Sequence, residues 1–106
     1  VKIERIVCAF DCGTIVDPRN VEAQVEGGIV WGLSAARDGQ VTFKDGVAEQ
    51  TNFNTGPIVR LNELPKIEVH LVRSSHKPGG CGEASVPPVA PALASAIHAA
   101  TGKRLF

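Results

Sequence analysis

Apolar and polar positions along the first third of the chain follow two different periods. A β-rich apolar run between residues 1 and 11 predicts a first strand; its apolar members are Ile3, Ile6, Val7, Cys8 and Phe10. A stripe at helical spacing then follows, formed by Val21, Val25, Ile29, Leu33 and Ala36. Asp17 before Pro18 is a typical helix opening, and Asp38 with Gly39 is a typical stop, so we predict a helix over 18–37.

The middle and the end of the chain supply three more strands and a second helix. Asp45 and Gly46 stand between two short β-rich runs, 41–44 and 47–50, which predicts a tight hairpin. Residues 51–65 are rich in asparagine, glycine and proline and are expected to form a loop anchored by Val59 and Leu61. Alternation over 66–73 predicts a fourth strand, and helical spacing over 87–101, ended by Gly102, predicts the second helix.

This order, β-α-β-β-β-α, indicates an α+β fold. We expect a mostly antiparallel four-stranded sheet covered by two helices, with residues 1–106 forming a single domain. Gly27, Gly28 and Gly32 lie inside the first predicted helix, where each costs on the order of 1 kcal/mol relative to alanine. They therefore predict a very close neighbour for that helix, either a strand or a cofactor.

Composition excludes several function classes. Eleven basic residues balance eleven acidic ones without a like-charge run, which argues against nucleic acid or a membrane surface as the partner. No apolar run approaches the roughly 20 residues of a membrane span, and no signal-peptide pattern opens the sequence. The chain contains no methionine, so we expect it to be a piece of a longer protein.

Cysteine and histidine do not form a recognisable metal signature. Cys8, Cys12 and Cys81 make neither an even disulfide set nor a CxxC pair, and the three histidines are scattered. Packing is the expected role of the thiols, while a thiol-based redox module using all three stays open as an alternative. Trp31 on the first helix is expected in a core or a domain contact.

The segment 77–88, KPGGCGEASVPP, is the strongest candidate for chemistry. Its glycines allow a large ligand to approach the main chain, and the two prolines suit the first turn of a helix. Glu83 would then project a carboxylate beside main-chain NH groups, either as a solvated surface group or first-turn charge, or as a partly desolvated group that can act as a base. The segment lacks the GxxxxGK[ST] and GxGxxG patterns, so a nucleotide hydrolase is not indicated.

Several motifs together resemble the carboxy-terminal part of the large, molybdenum-cofactor-binding subunit of the xanthine dehydrogenase and aldehyde oxidase family. The resemblance is strongest to the isoquinoline 1-oxidoreductase beta-subunit branch and covers nearly the whole chain. The motifs that carry it are DCG at 11–13, VDP at 16–18, QVEGG at 24–28, WGL at 31–33, FKDG at 43–46, LPKIEVH at 64–70, GGCGE at 79–83, PPVAPALA at 87–94 and AATG at 99–102.

The resemblance implies a molybdenum hydroxylase acting on an N-heterocycle or an aldehyde with oxygen derived from water. Glu83 matches the family's catalytic base, which takes the proton from the molybdenum-bound hydroxyl, and Gln24 matches a glutamine that hydrogen-bonds near the cofactor. Gly80, Cys81 and Gly82 match the backbone that approaches the metal and its pterin. No side chain of this chain is expected to ligate the metal directly.

The same resemblance implies the cofactor and the partners. The cofactor would be a molybdopterin-type molybdenum cofactor, in its cytosine dinucleotide form, with 2Fe-2S clusters on a partner subunit. The partners would be the remainder of the large subunit, the iron-sulfur small subunit and a small-molecule substrate. The isolated 106 residues are not expected to be active, and the compartment stays open between the bacterial cytoplasm and periplasm.

Two positions depart from the family pattern, and one alternative function stays open. Cys81 stands where valine or alanine is commoner in the family, and Gly56 stands where tyrosine is frequent. The alternative is a non-catalytic interaction or assembly domain in which the glycine loop of segment 77–88 binds a partner chain.

Overall fold

The computed structural model describes residues 2–105, so Val1, which belongs to the predicted first strand, lies outside the described residues. The elements are β1 (Arg5–Phe10), α1 (Pro18–Asp38), β2 (Phe43–Lys44), β3 (Val47–Ala48), a 3₁₀ turn (Leu61–Glu63), β4 (Lys66–Leu71) and α2 (Val89–Thr101). No helix within residues 2–105 is both long and apolar enough to cross a bilayer.

The strands form two separate sheets. β1 pairs with β4 in parallel, from Arg5 opposite Lys66 to Phe10 opposite Leu71, whereas β2 and β3 form an antiparallel pair of their own. The predicted α+β fold with a mostly antiparallel four-stranded sheet is therefore wrong. Parallel strands need a long crossover, and α1 supplies it between β1 and β4. The hairpin strands β2 and β3, of two residues each, are too short to join that pair.

The predicted first helix is confirmed, with both of its end signals. The Asp17 Oδ1 atom accepts hydrogen bonds from the Arg19 and Asn20 main-chain NH groups at 3.1 and 3.3 Å, and Pro18 occupies the first helical position. Four of the five predicted stripe residues form the core face of the helix, with Val21 buried and Val25, Ile29 and Leu33 at most 2% exposed, whereas Ala36 is exposed. α1 packs with this face against β4 and α2, so it lies at the centre of the fold.

The predicted hairpin is confirmed, although its strands are shorter than expected. Asp45 and Gly46 have φ angles of 51° and 78°, the left-handed pair that a tight two-residue turn requires. In the following loop, Val59 is the buried anchor, and its NH donates to the Ser34 hydroxyl on α1 at 3.1 Å. Leu61, the other predicted anchor, is 87% exposed.

The second helix ends where the sequence predicts and begins slightly later. Gly102 has φ 74°, and its NH closes the helix on the His98 carbonyl at 2.8 Å. The helix starts at Val89, so Pro87 and Pro88 precede it. Val89 is buried against α1.

A bidentate ion pair joins the two parallel strands on their outer face. Arg5 Nε and Nη2 donate to the two Glu68 carboxylate oxygens at 3.1 and 2.7 Å, and Lys66 Nζ lies 2.8 Å from Oε1. Hydrogen bonding from Arg5, followed by that from Lys66, lowers the pKa of Glu68 to about 2.

Candidate functional site

The loop between β1 and α1, residues 11–17, lies beside the start of the glycine loop, residues 76–82. Thr14 donates to the His76 carbonyl through both its NH, at 2.9 Å, and its hydroxyl, at 2.8 Å. The Gly79 NH donates to the Cys12 carbonyl at 2.7 Å. Gly13 has φ 78°, and a Cβ there would strike the Lys77 carbonyl oxygen, so this close approach requires glycine.

A groove of about 560 Å³ opens between these two loops and the first turns of α1. Its lining includes Gln24 from α1 and Cys81 from the glycine loop. The remaining lining residues are Cys12, Thr14, Ile15, Val16, Asp17, Asn20, Val21, Pro78 and Gly79. The structure therefore brings two of the five predicted site residues to one concave surface, although they are 57 positions apart in the chain.

Glu83, Gly80 and Gly82 do not line this groove. All three are exposed, and Glu83 lies in a turn that the Val86 NH closes on the Glu83 carbonyl at 2.9 Å. α2 begins six residues after Glu83, so the carboxylate stands in the turn that precedes the helix.

The segment that carries these three residues is fastened at both ends. At its start is the bond between the Gly79 NH and the Cys12 carbonyl; at its end, the Ser85 hydroxyl donates to the Val25 carbonyl of α1 at 3.1 Å. Ser85 is only 3% exposed. Residues 80–84 thus bridge two fixed points and present their main chain outward.

The glycines in α1 and in the glycine loop serve different purposes. A Cβ at Gly28 would collide with the Ser85 hydroxyl, and one at Gly32 would lie 2.7 Å from the Val86 carbonyl oxygen. The predicted close neighbour of α1 is therefore confirmed at these two positions, but it is the segment 85–89, neither a strand nor a cofactor. Gly27 has no neighbour within 4 Å of such a Cβ.

At Gly80 and Gly82 a Cβ would also meet no described atom within 4 Å, and neither residue has a positive φ. Neither internal packing nor backbone conformation therefore requires glycine there. A bulky group approaching this stretch of main chain from outside would require it.

Ser85 and the groove residues Thr14 and Asn20 are functional candidates that the sequence alone did not reveal. The spacing of Gly28 and Gly32, one helical turn apart, is the signal that points to a close contact for α1. It does not identify Ser85 as the contact, because the partner lies 57 residues downstream of Gly28.

The thiols and the indole differ in environment. Cys12 is buried, Cys8 and Cys81 are half-buried, and all three are free thiols. Burial raises the pKa of Cys8, which disfavours the thiolate form of that side chain. Within residues 2–105, no group of three or more His, Cys, Asp or Glu side chains is placed to hold a metal ion. Trp31, expected in a core or domain contact, is 65% exposed on this chain.

Comparison with known proteins relates this geometry to a family. Residues 1–65 match the family model described as a molybdopterin cofactor-binding domain. The isoquinoline 1-oxidoreductase subunit beta of Brevundimonas diminuta is 35% identical over 99% of this chain. A protein of Gluconacetobacter polyoxogenes, named membrane-bound aldehyde dehydrogenase (pyrroloquinoline-quinone), is 34% identical over 99% of the chain.

The fold is also found in a solved structure. The crystal structure of quinoline 2-oxidoreductase from Pseudomonas putida 86 superimposes with a TM-score of 0.87 over 95% of this chain, at 22% sequence identity. The chain spans only 13% and 14% of the lengths of the two relatives, and 14% of the solved chain. The match of residues 1–65 to this family model shows that the chain belongs to the molybdopterin cofactor-binding domain family.

Proposed function

We propose that this chain is the carboxy-terminal part of the large subunit of a molybdenum hydroxylase, and that it forms one wall of the cofactor site. The proposal rests on one main observation, the hydrogen-bonded contact between the glycine loop and the 11–17 loop. Because of that contact, Gln24 and Cys81 line one groove. Glu83 lies on the exposed segment that follows the contact.

The residues present fit a large bound cofactor. Gly80 and Gly82 leave the main chain open where no described contact requires glycine, which suits close approach of a pterin. The Gln24 amide in the groove can both donate and accept hydrogen bonds. We propose that the metal is held through its cofactor and not by this segment.

We assign each predicted residue one role. When bound, the molybdenum cofactor supplies two-electron oxidation of a substrate carbon with oxygen that comes from water. Glu83 accepts, at a carboxylate oxygen, the proton released during that transfer. Gln24 hydrogen-bonds to the cofactor, and Gly80, Cys81 and Gly82 line its approach with main chain and a small thiol.

The substrate class and the partners follow from the same proposal. The names of the two relatives, an isoquinoline oxidoreductase and an aldehyde dehydrogenase, support an N-heterocycle or an aldehyde as the substrate. We propose the cytosine dinucleotide form of the cofactor and a small subunit carrying 2Fe-2S clusters, which would receive the electrons. The remainder of the large subunit completes the site.

The test is Glu83→Gln in the full-length subunit assembled with its partner. Glutamine keeps the size of the side chain and removes the proton acceptor, so turnover should fall on the order of 10²- to 10⁴-fold while molybdenum content stays unchanged. Glu4→Gln is the matched control, because Glu4 is exposed and its carboxylate pairs with Lys2 outside the groove. Unchanged turnover in Glu83→Gln would rule out the assignment of the base.

A second variant separates cofactor binding from catalysis. Gln24→Ala should lower the molybdenum and pterin content of the purified subunit, whereas Glu83→Gln should not. Detection of pyrroloquinoline quinone in place of pterin would overturn the cofactor assignment. If both variants keep full molybdenum content and turnover but lose association with the partner, the glycine loop is an assembly surface and not part of a catalytic site.

A further inference from the structure

We propose that the outer edge of β1 receives a third strand from the remainder of the large subunit, and that an apolar side chain of this strand fills the cavity between β1 and α2. The inference rests on the proposed function in one respect, namely that the chain is part of a longer subunit. It concerns a face of the molecule that the groove and the glycine loop do not use.

The hydrogen-bonding pattern identifies the available edge. The Lys66 NH donates to the Glu4 carbonyl at 3.1 Å, and the Val72 NH donates to the Phe10 carbonyl at 2.9 Å. The even-numbered residues of β1 therefore direct their main-chain groups toward β4. Because this direction alternates along a strand, Arg5, Val7 and Ala9 direct theirs to the opposite edge.

That edge is unoccupied within the part of the chain that the structure describes. β4 is the only described segment that pairs with β1, so three NH groups and three carbonyls face outward in a row. Such an edge is a template for pairing with a further strand, and isolated two-stranded sheets have little stability of their own.

A cavity of about 230 Å³ lies directly beside this edge. Ile3 and Val7 line it from the side of β1, Ala92 and Ala96 from α2, and Leu33 and Val89 from the floor between the helices. Val7 is 51% exposed. Arg5, Ile6 and Leu93 complete the lining. A purely apolar cavity of about 150 Å³ accommodates a benzene ring, so this larger cavity has room for a large apolar side chain. One added strand would thus satisfy the main-chain groups and fill the apolar space together.

The occupant is a strand of the same polypeptide and not a second copy or a separate partner. The relatives are several times longer than this chain, which spans 13% and 14% of them, so most of a full subunit lies outside these residues and is available to supply the strand. Two of the three residues whose main-chain groups face outward, Val7 and Ala9, are apolar. The charge of the third, Arg5, is already paired with Glu68 across the sheet. The edge therefore favours an apolar, uncharged strand.

Hydrogen exchange in the full-length subunit, resolved to single amides, tests this inference. The amides of Arg5, Val7 and Ala9 should exchange on the order of a hundredfold more slowly than in an unstructured peptide, as slowly as those of Ile6 and Cys8. Fast exchange at the three odd positions with slow exchange at the even ones would show an unoccupied edge and overturn the inference. Protection that decreases on dilution would assign the edge to a second copy and overturn it equally.

A pair of substitutions tests the cavity separately. Ala96→Glu places a charge against the incoming side chain and should raise the exchange rates of Arg5, Val7 and Ala9 at least tenfold. Ala99→Glu, on an exposed position of α2 that does not line the cavity, should leave them unchanged. Equal exchange in both variants would contradict the proposed filling of the cavity. Because exchange can be measured in the cofactor-free subunit, a wrong assignment of the cofactor or of Glu83 would leave this test intact.

Discussion

Gly28→Ala provides a sharp test of how α1 holds the segment after the glycine loop. The added Cβ would collide with the Ser85 hydroxyl and would lie 3.4 Å from the Ser85 Cβ and 3.5 Å from a methyl of Val86. The hydroxyl must then move away, which breaks its 3.1 Å hydrogen bond to the Val25 carbonyl. Because Ser85 is 3% exposed, water cannot replace that bond.

Three energies determine how much Gly28→Ala changes the opening free energy of α1. An unsatisfied buried hydroxyl costs about 1–3 kcal/mol, and the forced displacement of packed atoms costs about 1–3 kcal/mol more. Alanine recovers about 1 kcal/mol of helix propensity relative to glycine. The opening free energy of α1 should therefore fall by about 1–5 kcal/mol, with the sum of these terms as its basis.

The assay is hydrogen exchange of the α1 amides in the full-length subunit, since local opening is measurable there without unfolding the whole protein. Gly27→Ala is the matched control: it adds the same methyl one position away, where no described atom lies within 4 Å. It should raise the opening free energy by about 0.5–1 kcal/mol. Adjacent glycines in one helix should thus respond with opposite signs.

A double substitution identifies the cause. Ser85→Ala removes the atom with which the new methyl collides, so Gly28→Ala with Ser85→Ala should be less destabilised than the sum of the two single variants. The difference should be about 1–2 kcal/mol. The reasoning is refuted if Gly28→Ala stabilises α1 as Gly27→Ala does, or if the double variant recovers nothing.

Three further predictions concern the helix cap, a buried hydroxyl and the parallel strand pair. Asp17→Ala should lower the opening free energy of α1 by about 0.5–2 kcal/mol, whereas Asp17→Asn should keep most of the cap; equal losses in both variants would contradict the capping role. Ser34→Ala removes the acceptor of the buried Val59 NH, so local stability should fall by about 1–3 kcal/mol and exchange at Val59 should accelerate; an unchanged rate there would refute it. Hydrogen bonding from Arg5 lowers the pKa of Glu68 from its ordinary 4.5 to about 2, so the pair stabilises the strands above pH 4.5 and this contribution is lost as the pH falls toward 2. Exchange of the β4 amides should show this dependence in the wild type and not in Glu68→Gln, and parallel pH profiles would contradict the prediction.

The helices and the hairpin could be predicted because their signals are local. Asp17 with Pro18 marks one helix start, Gly102 marks one helix end, and Asp45 with Gly46 marks the hairpin turn. Each of these residues acts on main-chain groups within four positions of itself. The energy that selects the local structure is therefore contained in a short stretch of sequence.

The sheet could not be predicted in the same way, because its pairing joins segments about 60 residues apart. Arg5 and Glu68 are separated by 63 positions, and nothing near either residue specifies the other. The alternation over 66–73 is broken only by the apolar pair Leu71 and Val72, and this local departure does not specify a parallel partner.

The sequence could group two of the residues that line the groove, but it could not specify how they come together. The resemblance grouped Gln24 with Cys81, and both residues line one groove. The contact that brings them together depends on main-chain bonds such as that from the Gly79 NH to the Cys12 carbonyl. Main-chain groups have the same chemistry at every residue, so such bonds leave almost no trace in the sequence. The roles of Gln24, Cys81 and Glu83 stay predictions.

The position of the Glu83 carboxylate depends on its neighbours more than on any contact of its own. The side chain is exposed, while the segment around it is fastened through Gly79 at one end and Ser85 at the other. Disturbing the Ser85 anchor from the far side, through Gly28→Ala, should therefore reduce turnover without removing a group that touches the cofactor. A base that must lie within hydrogen-bond reach of its proton is sensitive to such a shift, because small displacements cost large factors in rate. If Glu83 is the base, Gly28→Ala should lower turnover at unchanged molybdenum content, and Gly28→Ala with Ser85→Ala should restore part of it. If Glu83 is only a surface group, Gly28→Ala should loosen α1 and leave turnover intact.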